Sequence, residues 1–109
     1  MRLAFIGGGV MGEAVIAAVL RGGLAQPADI TVCDVSTQRR EHLSQAYGVA
    51  TAESAARAVA GSELVVLAVK PQEFPAVARR LRGKLDAGQT VVSIMAGVML
   101  ATGRLPRAG

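Results

Sequence analysis

The stretch that most limits what this chain can become lies at its start, where Leu3-Ala4-Phe5-Ile6 runs directly into Gly7-Gly8-Gly9-Val10-Met11-Gly12. Gly7, Gly9 and Gly12 keep the spacing G-x-G-x-x-G between a strand-like apolar run and a helical pattern that opens at Val10. Each glycine has its own physical reason: Gly7 permits the tight turn, Gly9 puts no side chain before a pyrophosphate, and Gly12 lets the helix pack closely on the sheet. The helix presents free N–H groups and its positive dipole end to an anion. Asp34 closes the next apolar run, Ile30-Thr31-Val32-Cys33, about 20 residues beyond the glycines, where the dinucleotide fingerprint places an acid for the ribose. Residues Gly7, Gly8, Gly9, Val10, Met11, Gly12 and Asp34 are therefore candidate cofactor contacts.

Periodicity sets the remaining elements. Met11, Ala14, Val15, Ala18 and Val19 form an apolar helical stripe ending at Gly22-Gly23, and Gln26-Pro27-Ala28-Asp29 reads as a turn. Ser36 is placed to cap a second helix, with Leu43, Ala46 and Tyr47 on one face and Gly48 at its end. Val49-Ala50-Thr51 reads as a short third strand, followed by an alanine-rich helix around Glu53 to Ala60. Leu64 to Val69 is apolar on both faces, the mark of a central parallel strand, and Lys70-Pro71 stops it. Phe74, Val77, Ala78 and Leu81 mark a helix with its arginines on the other face, and Thr90 to Ile94 is a fifth strand. Right-handed crossovers then predict one α/β domain over residues 1–109, a doubly wound parallel sheet in the order 3-2-1-4-5 within a three-layer αβα sandwich. The ligand belongs where that order reverses, between the loops Gly7 to Gly12, Ala68 to Pro71 and Met95-Ala96-Gly97.

The 109 residues are 51% apolar, enough for one buried core, and the three aromatics leave that core to aliphatic side chains. The single cysteine, Cys33, excludes an internal disulfide and a cysteine-built metal site, so a reducing, cytoplasmic setting is expected. No metal ligand set is read. The net charge of +4 comes from arginines with no interleaved aromatics, which disfavours nucleic acid. No apolar run is long enough for a membrane span, and Glu13 interrupts Val10 to Leu20 as a signal peptide. His42 is expected on an exposed helix face away from the site, and Cys33 inside a strand.

Phe5-Ile6-Gly7-Gly8-Gly9 with Met11-Gly12, Val66-Leu67-Ala68-Val69-Lys70-Pro71-Gln72, and Val92-Ser93-Ile94 with Ala96-Gly97-Val98 together resemble the N-terminal half of pyrroline-5-carboxylate reductase. The likeness runs from Met1 to about Leu100. It implies a Rossmann-like domain of an oxidoreductase of proline biosynthesis, moving a hydride from NAD(P)H to the imine 1-pyrroline-5-carboxylate to give L-proline. By that resemblance Ala68, Val69, Lys70 and Pro71 line the adenosine and ribose side, and Ala96 and Gly97 approach the nicotinamide. No catalytic residue or general acid is read from this stretch. The family often has Asn where Val10 stands. It also continues into a helical domain that completes the substrate site and forms a homo-oligomer, whereas Gly103 and Pro106 oppose a helix here. The chain is thus expected to be a fragment with little turnover alone.

Asp34 favours the bare ribose of NAD, whereas Ser36, Arg39 and Arg40 favour a 2′-phosphate. Reductive biosynthesis in the family generally uses NADPH, so NADP is the expectation, with Arg39 as phosphate partner and NAD left open. Two alternatives stand beside this reading: the cofactor domain of another imine or deazaflavin-linked NADP reductase, and a non-catalytic nucleotide-binding module.

Overall fold

A computed structural model describes residues 1–94 and, for Val98–Thr102, the backbone alone. Strand β1 (Leu3–Ile6) leads into helix α1 (Val10–Arg21), β2 (Ile30–Cys33), α2 (Thr37–Tyr47), β3 (Ala50–Ala52), α3 (Ala55–Val59), β4 (Leu64–Leu67), α4 (Phe74–Leu81), β5 (Thr90–Ser93) and β6 (Val98–Thr102). The sheet order is β3-β2-β1-β4-β5-β6. Its first five strands are parallel and in the order the sequence predicts.

Strand β6 is an addition. It pairs antiparallel with β5, with a register irregularity between Val91 and Val92. An antiparallel partner needs only a short connection, unlike the helical crossovers that join the parallel strands. Its run Val98-Met99-Leu100-Ala101 is apolar like those of the other strands, but no helical stretch precedes it to announce a further crossover.

Side chains of β1 alternate between two cores because successive residues of a strand point to opposite faces. Ala4 and Ile6 join Cys33, Leu67, Val59 and Leu81 beneath α3 and α4. Leu3 and Phe5 join Ile16, Val32, Leu43 and Val66 beneath α1 and α2. Both faces of β1 are thus buried, which is why all four of its residues are apolar.

Helix α1 sits in a different phase from the expected stripe. Gly12 and Ile16 are its buried residues, with Val15, Val19 and Leu20 packed around Ile16, while Met11, Ala14 and Ala18 face outward. The cause is Gly12: a Cβ there would stand 2.8 Å from the Gly7 carbonyl oxygen and 3.3 Å from the Ala68 Cβ. That contact brings α1 down on its glycine edge and turns Val10 and Met11 outward. Helix α2 follows the expected plan, with the Arg39 N–H bonded to the Ser36 hydroxyl at 3.2 Å and Gly48 left-handed at φ 74°. Within it Leu43 is buried but Ala46 is exposed.

Candidate functional site

The sheet order reverses between β1 and β4, so the chain leaves these two strands in opposite directions and opens a crevice at their carboxyl ends. Gly7 makes the exit from β1 with φ 101°, a conformation glycine adopts freely. Its N–H donates to the Cys33 carbonyl at 2.8 Å, and the Ala68 N–H donates to the Ile6 carbonyl at 2.8 Å. These bonds extend the ladders of β2 and β4 one step and hold the glycine turn between them. A Cβ on Gly7 would lie 2.5 Å from the Ala68 carbonyl oxygen, so the loop and the β4 exit approach as closely as backbone allows.

A cleft of about 500 Å³ lies there, within the range of small-molecule sites. Its floor is the loop from Gly7 to Met11, one side is Asp34 with Val35, and the other is Ala68, Val69 and Lys70. Nothing stands within 4 Å of the place a Gly9 side chain would take, so the backbone at the start of α1 is open to the cleft. The first N–H groups of a helix have no carbonyl within it to bond, and here they open onto that space. Val10 is 84% and Met11 47% exposed. Gly12 lies under the loop, buried, and shapes the site by its packing.

Gly8 carries more than the fingerprint assigns it. Its N–H donates to Asp34 Oδ2 at 2.8 Å, and its carbonyl accepts from Arg39 Nε at 2.7 Å. A side chain at Gly8 would meet Leu43 Cδ1 at 2.7 Å, so α2 packs against the middle glycine as α1 packs against the last. Asp34 Oδ1 accepts the Ser36 N–H at 2.8 Å. The carboxylate is thereby fixed at the end of β2, beside the loop, with lone pairs left for a further donor. Ser36 acts through this bond and through its cap.

Arg39 departs from the geometry expected of it. Besides the Gly8 carbonyl, its guanidinium donates to Glu13 Oε1 at 2.8 Å, so it braces the loop against α1 and α2. Glu13 also accepts from the Tyr47 hydroxyl at 2.7 Å, and His42 Nε2 lies 3.0 Å from its Oε2. With the Tyr47 hydroxyl, His42 and Arg39 all bonding the charged form, the Glu13 carboxyl is lowered to about 2. The Tyr47 hydroxyl moves up in response, chiefly through its bond to Glu13. His42 is exposed as expected, but it touches the first turn of α1 rather than standing apart from the loop. Arg40 donates to the Asp34 carbonyl at 2.6 Å and to Glu53 Oε1 at 3.2 Å.

Lys70 is exposed at the end of β4, and Pro71 starts a 3₁₀ turn, Pro71–Glu73, in which Glu73 accepts the Lys70 N–H at 3.0 Å. Pro71 therefore aims the β4 exit without lining the cleft. Ala96 and Gly97 lie outside the described residues. Sequence reasoning missed Glu73, Val77 and Arg80, which line the cleft from α4 and the turn before it. The usable signal was spacing: Glu73, Val77 and Arg80 recur at four and three residues, one helical face. Cys33 is buried as expected, and burial raises its thiol above the ordinary range. Among the described residues no group of three or more His, Cys, Asp or Glu side chains is placed to hold a metal ion. No described helix is long and apolar enough to cross a membrane.

Residues 2–97 match the family described as NADP oxidoreductase, coenzyme F420-dependent. The chain is 33% identical over 101 residues to pyrroline-5-carboxylate reductase of Methanosarcina acetivorans, a match that covers 93% of this chain and 37% of that protein. It superposes on a pyrroline-5-carboxylate reductase from Coxiella burnetii with a TM-score of 0.78 at 28% identity, over 84% of this chain and 34% of the other. An imine reductase from Myxococcus stipitatus in complex with NADP+ gives a TM-score of 0.71 at 27% identity, over 85% of this chain and 31% of the other. The chain thus spans about a third of the length of these relatives.

Proposed function

The chain belongs to the family of NADP oxidoreductases described as coenzyme F420-dependent, and on that premise we propose that it is the dinucleotide-binding part of a pyrroline-5-carboxylate reductase, holding NADPH for reduction of a cyclic imine to L-proline. One observation carries the reading: the glycine turn is fastened on both sides, by Asp34 and by Arg39, while the face of Gly9 is left open. A turn serving only to connect β1 to α1 has no need of bonds from two other elements.

The residues present fit such a cofactor. The N–H groups at the start of α1 would meet a pyrophosphate, Asp34 would accept from the adenosine ribose, and Ala68, Val69 and Lys70 would line the adenosine and ribose from the other side. Gly7, Gly8, Val10 and Met11 contribute backbone, since the Val10 side chain offers no hydrogen bond. Ser36 and Arg39 act by fixing Asp34 and Gly8. Ala96 and Gly97 are proposed as the approach to the nicotinamide. When bound, NADPH supplies the hydride. The protein's own work is orientation and charge: it would hold a dianionic bridge on backbone dipoles of a loop fastened by Asp34 and Arg39.

The remainder of such an enzyme, beyond the third matched here, is proposed to complete the imine site and form the homo-oligomer. A reducing, cytoplasmic setting accords with the free thiol of Cys33. The likeness to an imine reductase supports a second reading, in which the same cofactor part serves a different cyclic imine. Proline formation from 1-pyrroline-5-carboxylate and NADPH tests the first against the second. The 109-residue chain alone is expected to bind NADPH without turnover, and joined to the C-terminal part of a relative it is expected to form proline. Turnover by the chain alone contradicts the division of labour, and turnover of other cyclic imines to the exclusion of this one favours the second reading.

A further inference from the structure

Three arginines stand near the carboxyl end of β2, and the fold uses them differently. Arg39 is engaged by the Gly8 carbonyl and Glu13, and Arg40 by the Asp34 carbonyl, Thr37 and Glu53. Neither lines the cleft. Arg80, in the last turn of α4, does line it and is exposed. Among the described residues it has no hydrogen-bond or ion-pair partner. We propose that Arg80 recognises the 2′-phosphate of NADPH and so sets the preference for NADPH over NADH, an inference that rests on the cleft being the dinucleotide site.

The placement follows from the walls of the cleft. Asp34 and Val35 form the β2 side, and Val77 and Arg80 form the α4 side. An adenosine in contact with Asp34 through its ribose lies between these walls, with its 2′ position at the β2 end. Arg80 stands one helical turn from Val77, which packs in the same core as Cys33 of β2, and both line the cleft with Asp34 and Val35; its charge also opposes the rise that burial gives the Cys33 thiol. Lys70, the other cation of the cleft, belongs to the β4 exit.

Electrostatics makes such a cation necessary. Asp34 and Glu73 both line the cleft and repel a 2′-phosphate, so acceptance of NADPH calls for a cation that compensates. Arg39 can do so only by releasing the Gly8 carbonyl or Glu13, which loosens the loop that holds the pyrophosphate. Arg80 gives up no partner, and its planar fork suits bidentate contact with a phosphate.

Calorimetric titration with NADPH and with NADH tests this in the wild-type chain and in Arg80→Ala, Arg39→Ala and Arg79→Ala. Arg80→Ala is expected to raise the Kd for NADPH by about tenfold or more, the loss of a charged hydrogen-bonding partner, while leaving NADH within about twofold. Arg39→Ala, acting through Gly8, is expected to weaken both dinucleotides by a similar factor, and Arg79→Ala neither. If wild type binds both dinucleotides and Arg80→Ala weakens them equally or leaves both unchanged, the assignment of Arg80 is overturned and the cleft reading stands. If wild type binds neither, the cleft reading falls and this inference falls with it.

Discussion

Replacing Gly12 and Gly9 separately by alanine isolates the two roles of the loop, packing and ligand access. At Gly12 the new methyl lies 2.8 Å from the Gly7 carbonyl oxygen and 3.3 Å from the Ala68 Cβ, roughly half an ångström or more inside a comfortable contact with the first. Neither neighbour is the end of a flexible side chain, so α1 must lift from the loop. Overpacking of this kind costs about 1–3 kcal/mol. Alanine returns about 1 kcal/mol through its better helix propensity, leaving a net loss of about 1 kcal/mol, or roughly a 5 °C fall in Tm for a domain of this size.

At Gly9 no heavy atom lies within 4 Å of the new methyl and φ is −74°, which any residue accepts. Gly9 is the N-cap of α1, where alanine is poorer than glycine, while alanine also narrows the unfolded chain, so Gly9→Ala is expected to change stability by less than about 1 kcal/mol. Because its methyl occupies the space before the pyrophosphate, it is expected to weaken NADPH by about tenfold or more. Urea unfolding followed by circular dichroism, paired with calorimetric titration, reads both effects. A stability gain in Gly12→Ala would show helix propensity acting alone and refute the packing of α1 on Gly7. Unchanged NADPH affinity in Gly9→Ala would refute the placement of the ligand.

Asp34→Asn keeps the shape but removes the charge that accepts the Gly8 and Ser36 N–H groups, and turns a donor toward one of them. A loss of about 1–3 kcal/mol in urea unfolding is expected, and an unchanged midpoint would contradict the fastening of the loop. Glu13 provides a pH signature. Its folded value of about 2 lies below its ordinary 4.5, so its contribution to stability is present above about pH 4.5 and is lost as pH falls toward 2. Unfolding midpoints between pH 5 and 2.5 are expected to fall less steeply in Glu13→Gln than in wild type, and parallel slopes would contradict the Tyr47, His42 and Arg39 bonds to the carboxylate.

The five parallel strands and their order were legible because each is a short apolar run bounded by glycine, proline or a cap, and because right-handed crossovers leave few arrangements. That the loop, Asp34 and the β4 exit line one cleft was legible because the reversal of strand order brings them together. Other features depend on distance in space rather than spacing in sequence. The phase of α1 is set by Gly12 touching Gly7 and Ala68, so a stripe counted from Met11 is displaced by one residue. Gly8 is held by Asp34 and Arg39 through its backbone and packed on by Leu43 of α2, all far along the chain, and the G-x-G-x-x-G pattern treats that position as free. Arg39 has the right type and place for a phosphate, but Glu13 and the Gly8 carbonyl reach it first. Arg80, read with the other arginines on the outer face of its helix, lines the cleft together with Val77 of the same helix. Strand β6 has an apolar run like the others, but it follows β5 without a helical crossover, so the alternation of strand and helix that marked the parallel strands does not announce it.

Calorimetric titration of the folded wild-type chain with NADPH decides whether the cleft is a dinucleotide site. Saturable heat corresponding to one dinucleotide per chain, much weakened by Gly9→Ala while circular dichroism stays native, is the predicted result. A natively folded chain that gives no heat with NADPH or NADH would contradict the claim that the turn after β1 exists to hold a pyrophosphate.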